Sequence, residues 1–388
     1  MKKADILDML PTLSMAAVLL FMYNVGTTMM GTANYYVGIL LTAVICVAVI
    51  LIKAKIYVVT ENICMIILLI LTIIGVVNSG GNTVWPIALT YIMIFGWLAL
   101  FLGSTKCNKR EIRIITDAYI ISAVIIAGLV IFNPIDYIGG RASILSNNEA
   151  IDPNFLSSYL SFAAIICFDR AIKNKKNILV AICLVFLISL AILFTGSRAG
   201  YMIVAIGFSG IFFEYSEKSL IKKITLAIFS LLSIFLLYFL LQELLPDQIF
   251  YRLFVADFIS TNDVRFNLWL DGFRTMLRHP IRGYGIINTS TVTINSRSVH
   301  NSFIGIWMHM GIGGLITFGY LLISLLRKSF SQKNYVFISM WIGLMISAVM
   351  DMKQFSLAFW APYIVILLIV NHEIKSKSID DIKTNNPE

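Results

Sequence analysis

The stretch that decides the fold is KCNKREIRIITDAYIISAVIIAGLVIF, Lys106 to Phe132. Lys106, Lys109, Arg110 and Arg113 come first, and an apolar run follows in which Asp117 is the one acid. A run of about 20 such residues, rising about 1.5 Å each, is long enough to cross the hydrocarbon core of a bilayer as an α-helix. The basic cluster in front of it marks the cytoplasmic side.

The same pattern repeats outward in both directions. The chain is 59% hydrophobic and 13% charged, too apolar for a water-soluble domain. Reading apolar runs between charged or turn-forming breaks gives about twelve spans. They lie near 9–30, 34–52, 57–77, 84–103, 113–132, 154–169, 178–195, 199–213, 222–243, 300–326, 334–350 and 355–371. The expectation is an all-α polytopic membrane protein, a single integral-membrane domain over 1–388.

Charge supports the threading independently, because cytoplasmic loops are enriched in Lys and Arg. Of 30 Lys and Arg residues, 21 fall on the side of the N-terminus, and 17 of the 18 lysines are among them. Both termini are expected to be cytoplasmic. The net charge of +9 is then mostly a topogenic signal. With no basic stripe interleaved with aromatics, nucleic-acid binding is excluded. The first apolar stretch is too long for a signal-peptide core and lacks a small-residue cleavage site, so it is expected to remain as a helix. Cys46, Cys64, Cys167 and Cys183 fall in helices and Cys107 in a cytoplasmic loop, with neither a disulfide framework nor a metal-binding spacing.

Two segments on the far side are long, 133–153 and 244–299, and are expected to be extracytoplasmic. The second contains Phe266, Leu268, Trp269, Leu270, Phe273, Met276 and Leu277 at spacings near three and four, which predicts an amphipathic helix over about 263–278. His279-Pro280 ends it and Gly283-Tyr284-Gly285 makes a turn. Residues 373–388 are polar and are expected to form a disordered cytoplasmic tail.

The far side also holds eight arginines, Arg141, Arg198, Arg252, Arg265, Arg274, Arg278, Arg282 and Arg297. A planar guanidinium suits phosphate or carboxylate. Four pieces there could carry chemistry. Thr195-Gly196-Ser197-Arg198 reads as a polar turn whose Arg reaches the headgroups, or as an anion site made of helix-start N–H groups and Arg198. The run from Arg141 to Asn154 is a polar loop in which Asp152-Pro153 caps the next helix, which leaves Arg141 unexplained. Asp263-Val264-Arg265 places Arg265 in a first helical turn, where a cation suggests a bound anion, or a surface pair with Asp263. His300-Asn301-Ser302 opens a helix at the membrane edge. His300 shares a face with Ile304 and Trp307, whereas His309 points to the opposite side.

In this order, these pieces resemble the polytopic O-antigen ligase and polymerase family of bacterial surface-polysaccharide assembly. The resemblance covers about 130–320 and includes Asp152-Pro153-Asn154, the Thr195 to Arg198 turn, Arg265 with Trp269, His279-Pro280, Gly283-Tyr284-Gly285, and His300-Asn301-Ser302. It implies a GT-C-like glycosyltransferase acting on undecaprenyl-diphosphate-linked glycans at the outer face of the cytoplasmic membrane. It also implies membrane lipids as surroundings, and a flippase and a chain-length regulator as partners.

On that reading Arg198 and Arg265 stabilise the charge developing on the leaving diphosphate, with Arg141 as a third clamp residue. His300 takes the proton from the attacking sugar hydroxyl, and Asn301 and Trp269 help to bind substrate. The far side has no Asp-x-Asp pair, and Asp257, Asp263 and Asp271 are expected to pair with arginines, so no metal or cofactor is expected.

A polymerase is favoured because the far-side loop has no added acceptor-binding domain and the Ile-, Lys- and Asn-rich composition suggests a low-GC organism. The alternative is an O-antigen ligase that moves finished glycan to lipid A core or another acceptor. A polysaccharide transporter or flippase is disfavoured because ionisable residues are nearly absent from the helix interiors.

Overall fold

A computed structural model describes residues 3–20, 33–137, 140–146, 149–174, 178–216 and 258–385. The described residues form α1 (Lys3–Leu20), α2 (Ala33–Lys53), α3 (Thr60–Asn78), α4 (Trp85–Ser104), α5 (Lys109–Phe132), α6 (Pro153–Asn174), α7 (Ile178–Phe194), α8 (Arg198–Tyr215), α9 (Phe258–Met276), α10 (Ser302–Ser331), α11 (Tyr335–Met350) and α12 (Leu357–Asn385). The expected span at 222–243, Arg252, Asp257 and the first part of the 244–299 loop lie outside the described residues, as does the second half of the expected span at 9–30.

Six of these helices are long and apolar enough to cross a membrane: α3, α4, α5, α6, α10 and α12. Four shorter apolar stretches, in α1, α2, α7 and α11, accompany them. The protein is all-α and multi-pass. Its helix starts are written in the sequence. Asn108 accepts from the N–H groups of Arg110 and Glu111 while Glu111 bonds back to Asn108 N, a complete capping box for α5. Asn301 and Asn334 cap α10 and α11 in the same residue class.

The bundle is centred on α6 and α12. Most of α6 is buried by the rest of the molecule, whereas less than half of α3 is, so α3 keeps a broad apolar face outward. Small residues permit the closest approaches, the usual device where lipid supplies no hydrophobic drive between helices. A Cβ on Gly207 of α8 would stand 2.1 Å from Ile165 Cδ1 of α6, and one on Gly210 would stand 2.2 Å from Ser339 Oγ of α11.

The two ends of the bundle differ in charge. Ion pairs of Lys53 with Asp8, Arg170 with Asp117, Lys173 with Asp169 and Glu373, and Lys328 with Glu61 tie one end together. Arg141, Arg198, Arg265 and His300 lie at the other end, near the starts of α6, α8 and α10.

The expected amphipathic helix is present as α9 and ends before His279-Pro280. The chain after it is pinned between α3 and α10. Ile286 N donates to Gly75 O, Val84 N to Ile286 O, and Tyr284 N to Met308 O. Gly311 interrupts α10 with φ +69°, and Ile312 N turns to Pro280 O instead of the helix ladder. A Cβ on Gly311 would meet Ile281 O at 1.9 Å. His309 is fully buried below this break, with Nδ1 3.0 Å from Tyr91 Oη and Nε2 3.1 Å from Ile287 O.

The structure corrects four expectations. Arg265 is not in a first helical turn, because α9 begins at Phe258, seven residues before it. The tail is not disordered throughout, because α12 continues to Asn385. Segment 133–153 is not a plain loop: β1 (Ile135–Tyr137) pairs antiparallel with β2 (Arg141–Ser143), and β3 (Leu145–Ser146) with β4 (Glu149–Ala150). Among the described residues Asp271 has no ion pair with an arginine; its carboxylate turns inward and accepts from the backbone N–H groups of Ile294 and Asn295 at 3.1 and 3.0 Å.

Candidate functional site

Asn154, in the first turn of α6, is the hub on which the site is built. Asp152 caps the helix by accepting from Asn154 N at 2.7 Å, as the Asp-Pro pair in the sequence predicts. The Asn154 carboxamide oxygen then accepts from Arg141 Nη2 at 2.9 Å and from Ser197 Oγ at 3.1 Å. Its amide nitrogen faces Asp351 Oδ2 at 3.5 Å. Arg141 is carried on β2 and is 5% exposed. Its Nε donates to Thr195 O at 2.8 Å, so the guanidinium faces inward and fixes the turn between α7 and α8.

That turn presents Arg198. Gly196 has φ +58°, which favours glycine, and Ser197 is the N-cap of α8. Arg198 is therefore the first residue of a helix whose N–H groups and dipole favour an anion. Its side chain is half-buried, one residue from the Ser197 contact to Asn154.

His300 stands across the site with φ +44°, a left-handed conformation that costs a non-glycine residue energy and is often kept where function fixes it. Its Nδ1 lies 3.1 Å from Asp351 Oδ1, and the imidazole is 45% exposed while Asp351 is 5% exposed. With Nδ1 turned to Asp351, Nε2 is the ring nitrogen on the side away from that carboxylate. Trp269 Nε1 reaches His300 O at 3.4 Å, and Arg265 Nη1 lies 3.4 Å from Met350 Sδ, at the end of α11 just before Asp351. Asn301 spends its carboxamide oxygen on the N–H groups of Phe303 and Ile304, and so caps α10.

The titration of these groups follows from their neighbours. The hydrogen bond to Asp351 raises His300 above its ordinary 6.5, against burial and the Arg265 charge. Burial alone would raise Asp351, but His300 and Lys353 hold it below the usual carboxylate range. Asp152 is raised by burial and by the Asp351 charge. Lys353, fully buried in the 351–356 connection, is lowered by burial to about 8.

Arg141, Arg198, Arg265, Trp269, His300 and Asn301 are thus gathered at one end of the bundle. Two residues that matter there, Asp351 and Lys353, escape a reading based on motifs. Their sequence signal was a count: Lys353 is the one lysine of 18 on the arginine-bearing side of the threading. Among the described residues, no group of three or more His, Cys, Asp or Glu is placed to hold a metal ion.

Residues 183–319 match the family model described as O-antigen ligase, which bears out the resemblance over that stretch. No curated protein matches the chain. Arg198, Arg265, Trp269, His300 and Asn301 lie inside the match, whereas Arg141, Asp152, Asn154, Asp351 and Lys353 lie outside it.

Proposed function

We propose, starting from the O-antigen ligase match over residues 183–319, that this membrane protein is a glycosyltransferase. It polymerises undecaprenyl-diphosphate-linked oligosaccharide repeat units into a surface polysaccharide, O-antigen or capsule, at the outer face of the cytoplasmic membrane. The observation that carries the reading is an exposed imidazole held by a buried carboxylate, 3.1 Å away, at the same end of the bundle as Arg198 and Arg265.

In this reading an acceptor sugar hydroxyl attacks the anomeric carbon of the donor. His300 Nε2 takes the hydroxyl proton, and Asp351 keeps Nδ1 protonated and the ring oriented. The bond to the lipid diphosphate breaks on the opposite side, so the anomeric centre inverts. Arg198 and Arg265 take the charge that develops on the leaving oxygen. Arg141, whose guanidinium is turned into the protein, serves by fixing the Arg198 turn. Trp269 lines the site beside His300, and Asn301 sets the start of α10 that carries it.

Purified protein supplied with lipid-linked repeat units alone tests this. Elongation without any other acceptor is the expected result, and transfer that needs a sealed compartment would instead point to transport. The family description itself favours a second reading, ligation of finished glycan to lipid A core or another acceptor. That reading gains if elongation fails until such an acceptor is added.

A further inference from the structure

The mechanism above leaves one buried charge without a task. Lys353 is fully buried, and its Nζ donates to Asn154 O at 3.0 Å while lying 5.8 Å from the centre of the Phe155 ring. Its backbone is fixed separately: Lys353 N donates to Ser302 Oγ at 3.0 Å, and Ser302 Oγ donates to Asp351 O at 2.8 Å. Tying the 351–356 connection to α10 therefore does not require the ammonium. Burying an ammonium costs free energy that a single neutral carbonyl does not return.

The surrounding charges identify what offsets that cost. Asp351 at the end of α11 and Asp152 before α6 attract the ammonium, while Arg265 of α9 and Arg141 of β2 oppose it. Asn154, whose carbonyl holds Nζ, also donates its backbone N–H to Asp152 Oδ1 at 2.7 Å and turns its amide nitrogen to Asp351 Oδ2 at 3.5 Å, so the two acids share one neighbour with the ammonium and repel each other. A buried carboxylate and a half-buried one near each other cannot both stay ionised cheaply, and one takes a proton unless a nearby cation offsets their repulsion. If Asp351 were the one to take it, His300 would lose the anion that orients its ring.

The geometry points to Lys353 as a positioning residue that keeps Asp351 ionised by balancing Asp152, and so acts on the reaction through the His300–Asp351 pair. This rests on His300 being the base. It makes the start of α6 part of the proton-transfer apparatus: Asp152 and Asn154 bear on the base through Lys353, 199 residues from Asn154 in the chain.

The test is a charge cycle scored by polymer formed at matched membrane abundance. Lys353→Met is expected to lose at least tenfold. Asp152→Asn, which keeps a capping side chain, is expected to cost less. Lys353→Met with Asp152→Asn is expected to recover at least threefold over Lys353→Met, because the second carboxylate is gone. A double variant no better than Lys353→Met overturns the proposal, since a merely structural lysine is not repaired by removing an acid.

Should Lys353→Met fail to accumulate, the alkaline limb of the pH profile decides. Activity is expected to fall as Lys353 loses its charge above about 8, and Lys353→Arg is expected to move that fall upward by at least one pH unit. A wild type with no such limb, or a limb unmoved in Lys353→Arg, also overturns it. His300→Ala runs in parallel. If it retains polymer, the reading of the site itself fails; if it is inactive while Lys353→Met is normal, only the role of Lys353 fails.

Discussion

His300 Nδ1 and Asp351 Oδ1 lie 3.1 Å apart although 51 residues separate them in the chain. One belongs to the loop before α10 and the other to the turn after α11, so the pair exists only when both helices are packed. Its asymmetry is chemical as well, since the carboxylate is buried and the imidazole open to the site.

The first expectation concerns pH. A base must be neutral to accept a proton, so kcat/KM should rise with pH through the His300 value, which the hydrogen bond to Asp351 places above 6.5. Asp351→Asn removes that bond and should move the acidic limb down in pH while lowering the plateau, roughly 100-fold if orientation matters as in other acid–base sites. Stability has the opposite sense. Because the folded value of His300 is raised, its contribution is complete below about 6.5 and is lost as pH rises through the raised value. An acidic limb that stays in place in Asp351→Asn would count against the pair.

Arg198→Ala and Arg265→Ala should each reduce kcat roughly 100-fold or more if the guanidinium meets charge formed in the transition state. Arg→Lys at either position should also be impaired, because an ammonium keeps the charge but not the fork. Arg297→Lys, at an exposed position, should change little. Polymer length at equal membrane abundance is the measurement, and long polymer from both alanine variants would remove the clamp.

Arg141→Ala should differ from both by lowering stability as well. It strips the Arg141 donor from buried Thr195 O and one of two donors from the Asn154 carboxamide oxygen, which keeps Ser197 Oγ, and leaving a buried acceptor unpaired costs about 1–3 kcal/mol. A detergent melting curve should fall for Arg141→Ala and hold for Arg265→Ala, whose guanidinium is half-buried beside Met350.

Gly311→Ala should loosen the loop behind the site. The positive φ with ψ −169°, a combination essentially confined to glycine, disfavours a side chain by about 1–3 kcal/mol, and the new Cβ would press into Ile281 O. Proteolysis within 279–287 should accelerate. Unchanged cleavage would mean that the break in α10 is not what holds that loop.

Transfer should survive EDTA, because permanent guanidinium charge can meet the diphosphate. Activity that collapses in chelator and returns with magnesium would sink the arginine-only account.

Much of this was legible in the chain, and for a physical reason. Hydrophobic run length and loop charge are local properties set by the bilayer, so the helices, the amphipathic α9 and its His279-Pro280 end could be read directly. Arg198 and His300 stood out because each sits at a helix start, where the sequence marks its own caps; Arg265 stood out as a cation on the amphipathic stretch, although α9 begins seven residues before it. The strand ladders of 135–150 did not stand out, being too short for a period of two to show.

What the sequence alone determined, then, was the membrane-spanning helical class and the accumulation of arginines on one side of the threading. The tertiary structure decided which of those residues meet and what supports them. Asp351 and Lys353 look like ordinary polar turn residues between two spans, and Asn154 like the end of a cap. Burial and opposed charge make them a site, and both arise only from helix ends brought together by packing, which no local pattern encodes.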